Sequence, residues 1–377
     1  MGTSYDTVKL ILASALLQHK LLKQEGSGTL DEAAIKLCTI RQVEKNVMKK
    51  VLILATGGTI SSQAGADGMV PQSAPAELLG ALDKFGKSYD IKYKAILNLD
   101  SSNIQSEEWK IIAHSVFENL PDYDGFVITH GTDTMAYTAS MVTFMLQNLD
   151  KPVVFTGSQI PIGSPLSDAQ SNLATALAAI DHNVIGVTIA FNHKLMRGCR
   201  AVKVRTMGFD AFESVNSQNR GEFFADGIRL VTERFLPRGE KCELKSELSN
   251  DVFLLKLIPG TNPKIFDCLQ EMNYRGVVLE TFGAGGLHYL RRDLSAPIKR
   301  LVESGIPVVV CSQCLYEKSD FSLYEVGRKV IATGAIQSLD MTTEAAVTKL
   351  MWALGQTTEP EEIRRIFETN YAGEVTF

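Results

Sequence analysis

Residues 51–59 read VLILATGGT, an apolar run that ends in threonines and glycines. A short apolar run closed by a turn signal predicts a strand buried on both faces, and the paired glycines predict a tight turn. Similar runs recur at Ile91–Leu97, Gly125–Thr129, Pro152–Thr156, Gly186–Phe191, Val252–Ile258, Gly276–Glu280 and Pro307–Cys311. Helical patterns separate them, near 107–119, 134–148, 168–180, 263–272, 294–304, 343–355 and 359–369. This alternation predicts an α/β fold with mostly parallel sheets and flanking helices.

The length and the local composition predict two domains. The chain has 377 residues, and domains average about 150 residues. Residues 216–250 are rich in Glu, Arg, Lys, Ser and Asn and interrupt the alternation. We therefore expect a larger N-terminal domain at 48–220, a linker at 221–249 and a smaller, doubly wound C-terminal α/β domain at 250–377. Residues 1–47 are predicted to be a helical appendage, because Met48 directly precedes the first strand and looks like a second translation start.

Charge and composition exclude several classes of protein. The net charge of −5 argues against a nucleic-acid binder, which is usually basic. The sequence contains no uncharged apolar run of about 18 residues, so no membrane-spanning helix is expected. Asp6 stands where a signal peptide carries positive charge. The six cysteines are few and irregularly spaced, as in a protein with reduced thiols. These features favour a cytoplasmic protein.

Polar side chains follow four of the predicted strands. These segments are Thr56–Thr59, Asp100–Ser102, His130–Thr134 and Thr156–Gln159. In open α/β sheets, ligands bind at the carboxyl ends of the strands. A single such segment usually caps a helix. Four together favour a binding site for a polar small molecule.

Three partial cofactor or metal motifs each lack a residue or a pair that the full motif requires. The Gly86-Lys87-Ser88 triplet lacks the glycine that a phosphate-binding loop requires, since residue 81 is alanine. Gly283–Gly286 is followed by His288 where a dinucleotide fingerprint needs glycine. Cys311-x-x-Cys314 has no second pair to complete a zinc site, and we expect two buried thiols there. The sequence therefore predicts neither a cofactor nor a metal.

Hydroxyl and carboxylate groups without a metal suggest covalent catalysis by a threonine. A threonine hydroxyl is a weak nucleophile and needs a base, which a lysine in its neutral form can supply. Lys203 is the candidate, because two arginines, Arg200 and Arg205, and two valines flank it. The alternative is a solvated basic run on a strand.

The chain resembles the bacterial-type L-asparaginases, and specifically their cytoplasmic type I branch. Two long segments look like the active-site signatures of that family, and shorter segments match the type I pattern. The signatures are Ala55–Ile60 and Gly125–Tyr137, and the shorter matches are Gly157–Pro161, Arg197–Lys203, Gly208–Phe212 and Lys349–Leu354. The similarity covers about 48–377.

The resemblance implies hydrolysis of L-asparagine to L-aspartate and ammonia. Thr59 would be the nucleophile and would form a β-aspartyl ester. Thr132, Asp133 and Lys203 would form the second catalytic group. Asp100, Ser101 and Ser102 would hold the substrate, with Ser101 near the α-carboxylate and Asp133 near the α-ammonium. A homodimer or homotetramer is expected, with no nucleic-acid or membrane partner.

Two positions depart from the family. Met69 stands where many members carry a tyrosine hydrogen-bonded to the nucleophile, and a thioether cannot donate that bond. Either a tyrosine reaches Thr59 from elsewhere in the lid or from a neighbouring subunit, or Thr59 depends on Lys203 through Thr132, which is the hypothesis we favour. Glu280 stands where some type I enzymes carry an arginine that binds an allosteric asparagine beside a cysteine, here Cys314. An anion there should repel the α-carboxylate, so we predict no activation through that site.

Three alternatives stay open. The chain could be a glutaminase-asparaginase, another amidohydrolase of the same fold such as the archaeal glutamyl-tRNA amidotransferase subunit, or a non-catalytic amino-acid sensor. A sensor would have lost the nucleophile or the lysine, and both Thr59 and Lys203 are present.

Overall fold

The structure is a computed structural model and describes residues 48–65, 68–71, 76–231 and 240–377. The predicted appendage at 1–47 lies outside these ranges. The strands are β1 (Lys49–Gly57), β2 (Ser62–Gly65), β3 (Gly68–Pro71), β4 (Tyr89–Leu99), β5 (Gly125–Thr129), β6 (Leu146–Gln147), β7 (Pro152–Thr156), β8 (Gly186–Phe191), β9 (Lys194–Arg197), β10 (Ala201–Lys203), β11 (Phe212–Ser214), β12 (Gly221–Phe224), β13 (Gly227–Leu230), β14 (Glu243–Leu244), β15 (Val252–Lys256), β16 (Gly276–Thr281), β17 (Val308–Ser312) and β18 (Ile336–Gln337).

The helices fill the intervals between these strands. They are α1 (Ala76–Asp83), α2 (Ser106–Asn119), α3 (Met135–Met145), α4 (Ala169–Asp181), α5 (Lys264–Glu271), α6 (Ser295–Glu303), α7 (Glu325–Ile331), α8 (Thr343–Gln356) and α9 (Pro360–Phe367). Among the helices that the structure describes, none is both long and apolar enough to cross a bilayer.

Two sheets confirm the predicted α/β architecture. The larger sheet has the order β13-β12-β9-β8-β7-β5-β1-β4, and its five strands from β8 to β4 run parallel. The strands β9, β12 and β13 continue it in antiparallel fashion. The smaller sheet, β15-β16-β17-β18, is entirely parallel.

Strand β1 lies between β5 and β4 in the larger sheet, and both of its faces are apolar. Val51 and Ile53 pack in the cluster that contains helix α4. Leu52 and Leu54 pack on the opposite face, against α2 and α3. All four side chains are at most 3% exposed, and each contributes about 1.5–3 kcal/mol by leaving water. This packing fixes the carboxyl end of β1, where the turn Thr56–Thr59 begins.

The C-terminal domain packs against the larger one through α8 and the chain terminus. The rings of Phe144 on α3 and Trp352 on α8 stack with centroids 6.1 Å apart. The guanidinium of Arg200, only 1% exposed, donates to the backbone oxygens of Asp340 and Gly373 at 2.7 and 2.9 Å. Arg200 lies three residues before Lys203, so the C-terminal domain holds the chain that leads into β10.

Part of the predicted linker belongs to the larger sheet. Residues 221–230 form the β12–β13 hairpin, which pairs with β9, and β14 pairs with β6. The polar composition of residues 216–250 did not predict this hairpin, because the hairpin lies at the sheet edge, where its side chains are largely half-buried or exposed. Edge strands of this kind need no continuous apolar run.

Helix α2 begins at Ser106, one residue before the predicted 107, and is capped at Gln105, whose backbone N–H donates to the Glu108 carboxylate at 2.8 Å. The prediction of two buried thiols was wrong for one of them, because Cys311 is buried but Cys314 is exposed. The thiol of Cys311 contacts the Leu279 carbonyl at 3.4 Å, whereas Cys314 follows the end of β17 in a surface loop.

Candidate active site

Closely packed backbone brings three of the predicted strand ends together. Gly57 and Gly58 have φ angles of 111° and 79°, a region that favours glycine. A β-carbon on Gly58 would lie 2.4 Å from the Gly131 nitrogen, and one on Gly131 would lie 2.6 Å from the Ser101 hydroxyl. The turns after β1, β4 and β5 therefore touch through positions that only glycine fits.

Thr59 begins a 3-10 turn directly after Gly58. The Gly58 N–H donates to the Leu99 carbonyl at 3.0 Å, and the Ser62 hydroxyl donates to the Gly58 carbonyl at 2.9 Å. Thr59 itself is half-buried, between buried neighbours. The turn thus places the half-buried Thr59 directly after the glycine whose backbone packs against Gly131.

Lys203 connects the second group of predicted catalytic residues. It ends β10, and its ammonium Nζ lies 2.8 Å from the Thr132 hydroxyl and 2.5 Å from Oδ1 of Asp133. The lysine side chain is 15% exposed and the aspartate side chain 60%. Lys203 is therefore largely enclosed and held by two oxygens, which contradicts the alternative of a solvated basic run.

The two flanking arginines serve other contacts. Arg200 bonds to the C-terminal domain, and its guanidinium lies 3.2 Å from the Asp340 carboxylate. Arg205 pairs with Asp210 at 3.2 Å and Glu213 at 2.8 Å. Lys203 is thus the member of this basic run that contacts the hydroxyl and carboxylate at the strand ends.

The predicted substrate turn splits into a buried part and an exposed part. Ser101 is 2% exposed, and its hydroxyl accepts from the Asp133 N–H at 3.3 Å. The Thr134 hydroxyl donates to the Ser101 carbonyl at 2.7 Å. Asp100 is exposed and caps the turn by accepting from the Ser102 N–H at 2.8 Å. Ser101 thus belongs to the same network as Asp133, while Asp100 and Ser102 lie at its surface.

Sequence reasoning missed two residues beside Thr132. The Gln159 amide oxygen lies 3.3 Å from the Thr132 hydroxyl. His130 is fully buried, and its Nδ1 donates to the Gly131 carbonyl at 2.7 Å. Burial lowers the pKa of His130 to about 4, against smaller opposing effects of that hydrogen bond and of Asp100. The polar run after β7 was a signal for Gln159, but the partner of its amide depends on the folded loop around 206–208.

The two departures from the family pattern have different outcomes. The backbone of Met69 lies in β3, and its side chain is outside the described part of the chain. The Glu280 carboxylate accepts from the Thr343 hydroxyl at 2.7 Å and lies 3.5 Å from the Lys256 ammonium.

Within the residues that the structure describes, no cluster of three or more His, Cys, Asp or Glu side chains could hold a metal ion.

Two family models match most of the chain. Residues 50–235 match "Asparaginase, N-terminal", and residues 251–367 match "Glutaminase/Asparaginase C-terminal domain". An L-asparaginase of Thermococcus kodakarensis is 42% identical over 330 residues, which are 87% of this chain and 99% of that protein. The chain belongs to the asparaginase family. It is therefore an amidohydrolase, as the sequence predicted.

Solved structures of asparaginases share its architecture. The thermostable L-asparaginase from Thermococcus kodakarensis superposes with a TM-score of 0.82 over 87% of this chain and 99% of that one. L-asparaginase I from Vibrio cholerae is 33% identical, with a TM-score of 0.79 over 88% of this chain and 100% of that one. A glutamyl-tRNA(Gln) amidotransferase subunit of Pyrococcus abyssi is 36% identical over 87% of this chain, but the match spans only 77% of that subunit.

Proposed function

We propose that this asparaginase-family enzyme hydrolyses L-asparagine to L-aspartate and ammonia. The observation that carries the proposal is the contact of Lys203 with both Thr132 and Asp133 beside the Gly57–Thr59 turn. A nucleophile, a hydroxyl relay and a base are the groups that covalent amide hydrolysis requires.

Thr59 is the proposed nucleophile. Its oxygen attacks the side-chain amide carbon, and its proton passes through the Thr132 hydroxyl to the neutral amine of Lys203. The amide nitrogen takes that proton back from the relay and leaves as ammonia, which leaves a β-aspartyl ester on Thr59. Water then attacks the ester, one of its protons passes through the same relay to the Thr59 oxygen, and L-aspartate is released. Asp133 holds Lys203 in place at 2.5 Å.

The substrate is a zwitterion, and the site offers partners for both of its charges. The exposed carboxylate of Asp133 can accept from the α-ammonium. Hydroxyl groups of Ser101 and Ser102 can donate to the α-carboxylate, with Asp100 keeping that turn in shape. The proposed assembly is a homodimer or homotetramer in the cytoplasm, with no cofactor.

The amidotransferase subunit is the second candidate, because several of its archaeal members are 33–38% identical to this chain. Coverage argues for the asparaginase, since the match extends over 99% of the Thermococcus enzyme and 77% of the Pyrococcus abyssi subunit. Ammonia release from L-asparagine, L-glutamine and D-asparagine in parallel separates asparaginase, glutaminase and sensor. We expect L-asparagine to be the best substrate, and absence of release from all three would overturn the proposal.

The nucleophile and the base are tested separately. Thr59→Ala should lower kcat by at least about a thousandfold, because no other hydroxyl replaces the nucleophile. Thr59→Ser keeps a hydroxyl and should retain measurable activity. Lys203→Met should lower kcat by about a hundredfold or more and abolish the acylation burst. Lys256→Met is the matched control, since Lys256 also pairs with a carboxylate but far along the chain, in β15. An intact burst in Lys203→Met would remove Lys203 from the activating role.

A further inference from the structure

Gln159 is a polar residue beside the proposed catalytic group that the reaction scheme leaves unused. It follows β7, and its backbone N–H donates to both carboxylate oxygens of Asp168 at 3.1 Å. Asp168 is held in turn by the buried amide of Asn172 at 3.0 Å. The backbone of Gln159 is therefore fixed before its side chain makes any contact.

Three contacts fix the orientation of the Gln159 amide. Its nitrogen lies 3.2 Å from the Thr206 carbonyl and 3.0 Å from the Gly208 carbonyl. Carbonyl oxygens only accept hydrogen bonds, so the NH₂ end must face them. The amide oxygen then faces the Thr132 hydroxyl at 3.3 Å. The flipped amide would lose both donor contacts.

Thr132 consequently lies between a donor and a pure acceptor. The Lys203 ammonium donates to the Thr132 oxygen at 2.8 Å. Of these two partners, only Gln159 can therefore accept the Thr132 proton. We infer that Gln159 is a positioning residue: by accepting from Thr132 it keeps the Thr132 oxygen next to Lys203, in the place from which the hydroxyl can turn its proton to the neutral lysine during the relay. This inference rests on the proposed function of Thr132.

The loop that grips Gln159 is itself anchored. Arg205 donates to the Asp210 carbonyl at 3.0 Å and to the Glu213 carboxylate at 2.8 Å, and Tyr316 of the C-terminal domain donates to the same carboxylate. The side chain of Met207 is 86% exposed, so the loop faces Gln159 with backbone rather than side chain. The Thr206 and Gly208 carbonyls that accept from the Gln159 amide are thus fixed in place. Removing the amide should therefore alter Thr132 more than it alters the loop.

Gln159→Leu tests the inference, and the chain offers a matched control. The Gln313 amide likewise donates to two carbonyls, of Leu257 and Glu280 at 2.6 and 3.0 Å, but it contacts no proposed catalytic hydroxyl. Both variants lose two equivalent bonds. We expect Gln159→Leu to lower kcat by about tenfold to a hundredfold with KM changed less than about threefold, because Gln159 acts on the reaction through Thr132. Gln313→Leu should keep both values.

A second variant and the wild type separate the possible failures. Gln159→Glu places an anion near the Lys203–Thr132 pair and should shift the acidic limb of the kcat pH profile to higher pH. Equal kcat values in Gln159→Leu and Gln313→Leu, at similar thermal midpoints, would overturn the positioning role. Wild-type protein that releases no ammonia from L-asparagine would overturn the proposed function instead.

Discussion

His130 is a buried titratable side chain directly before the turn that carries Thr132 and Asp133. Its Nδ1 donates to the Gly131 carbonyl, and its Nε2 is buried without a partner among the described residues. A neutral ring suits these surroundings, because a charged ring would carry an unsatisfied N–H into an apolar interior. Its role is therefore to shape the turn rather than to exchange protons with substrate.

The buried His130 predicts a loss of stability on the acid side. Its folded-state pKa is about 4, below the ordinary 6.5. The unfolded chain therefore binds the proton first as pH falls, and the stabilisation present above pH 6.5 is lost between 6.5 and 4. The total loss is about 3 kcal/mol. Urea unfolding across this pH range measures it. His130→Asn should flatten the slope, whereas exposed His182→Asn should not, and an unchanged slope in His130→Asn would contradict the assignment.

At the scale of elements, the turn after β1 depends on the contact between Gly58 and Gly131. Gly58 combines a positive φ with backbone contact to Gly131, whereas Gly305 has a similar φ of 85° with open space around it. The two positions share a conformational cost and differ in packing. Comparing them isolates the contribution of the contact between strand ends.

Gly58→Ala should nearly abolish activity, because its β-carbon would push the Thr59 turn away from Thr132. Gly305→Ala should cost only the backbone strain, about 1 kcal/mol, and keep full activity. Ammonia release together with thermal unfolding of both variants checks this expectation. Wild-type kcat in a folded Gly58→Ala protein would show that the close approach of these turns is dispensable.

How much of this architecture the sequence predicts depends on where each element lies. Buried parallel strands such as Gly125–Thr129 and Pro152–Thr156 were predicted with the observed bounds, because burial on both faces requires continuous apolar runs. The β12–β13 hairpin was missed because edge strands escape that requirement. Lys203 could be proposed from its flanking residues, but its bonds to Thr132 and Asp133 depend on contacts about 70 residues apart, which periodicity does not encode.

At the scale of the whole molecule, a buried ion pair lies inside the C-terminal domain, close to the chain terminus that contacts the larger domain. Lys349 on α8 and Glu374 are both 0% exposed, with their charged atoms 2.6 Å apart. Glu374 also accepts from the N–H groups of Tyr371 and Ala372 at 3.0 and 2.8 Å. This carboxylate therefore shapes the segment whose Gly373 carbonyl receives Arg200, three residues before Lys203.

Removing one partner of this pair should destabilise the whole protein. Lys349→Met leaves a buried carboxylate without its cation and should lower the free energy of unfolding by about 3–5 kcal/mol. The double variant Lys349→Met/Glu374→Gln removes both charges and should recover part of that loss. Lys299→Met, which breaks an exposed pair with Glu303, should change it by less than about 1 kcal/mol.

The same cycle also tests whether the C-terminal segment supports the site. If Glu374 holds the carbonyl that receives Arg200, Lys349→Met should lower kcat under conditions where the protein remains folded, because the strand that carries Lys203 loses a fixed anchor. Urea unfolding followed by tryptophan fluorescence gives the stability, and ammonia release at a temperature well below the midpoint gives kcat. A fully active Lys349→Met protein with reduced stability would limit the role of the ion pair to stabilising the C-terminal domain.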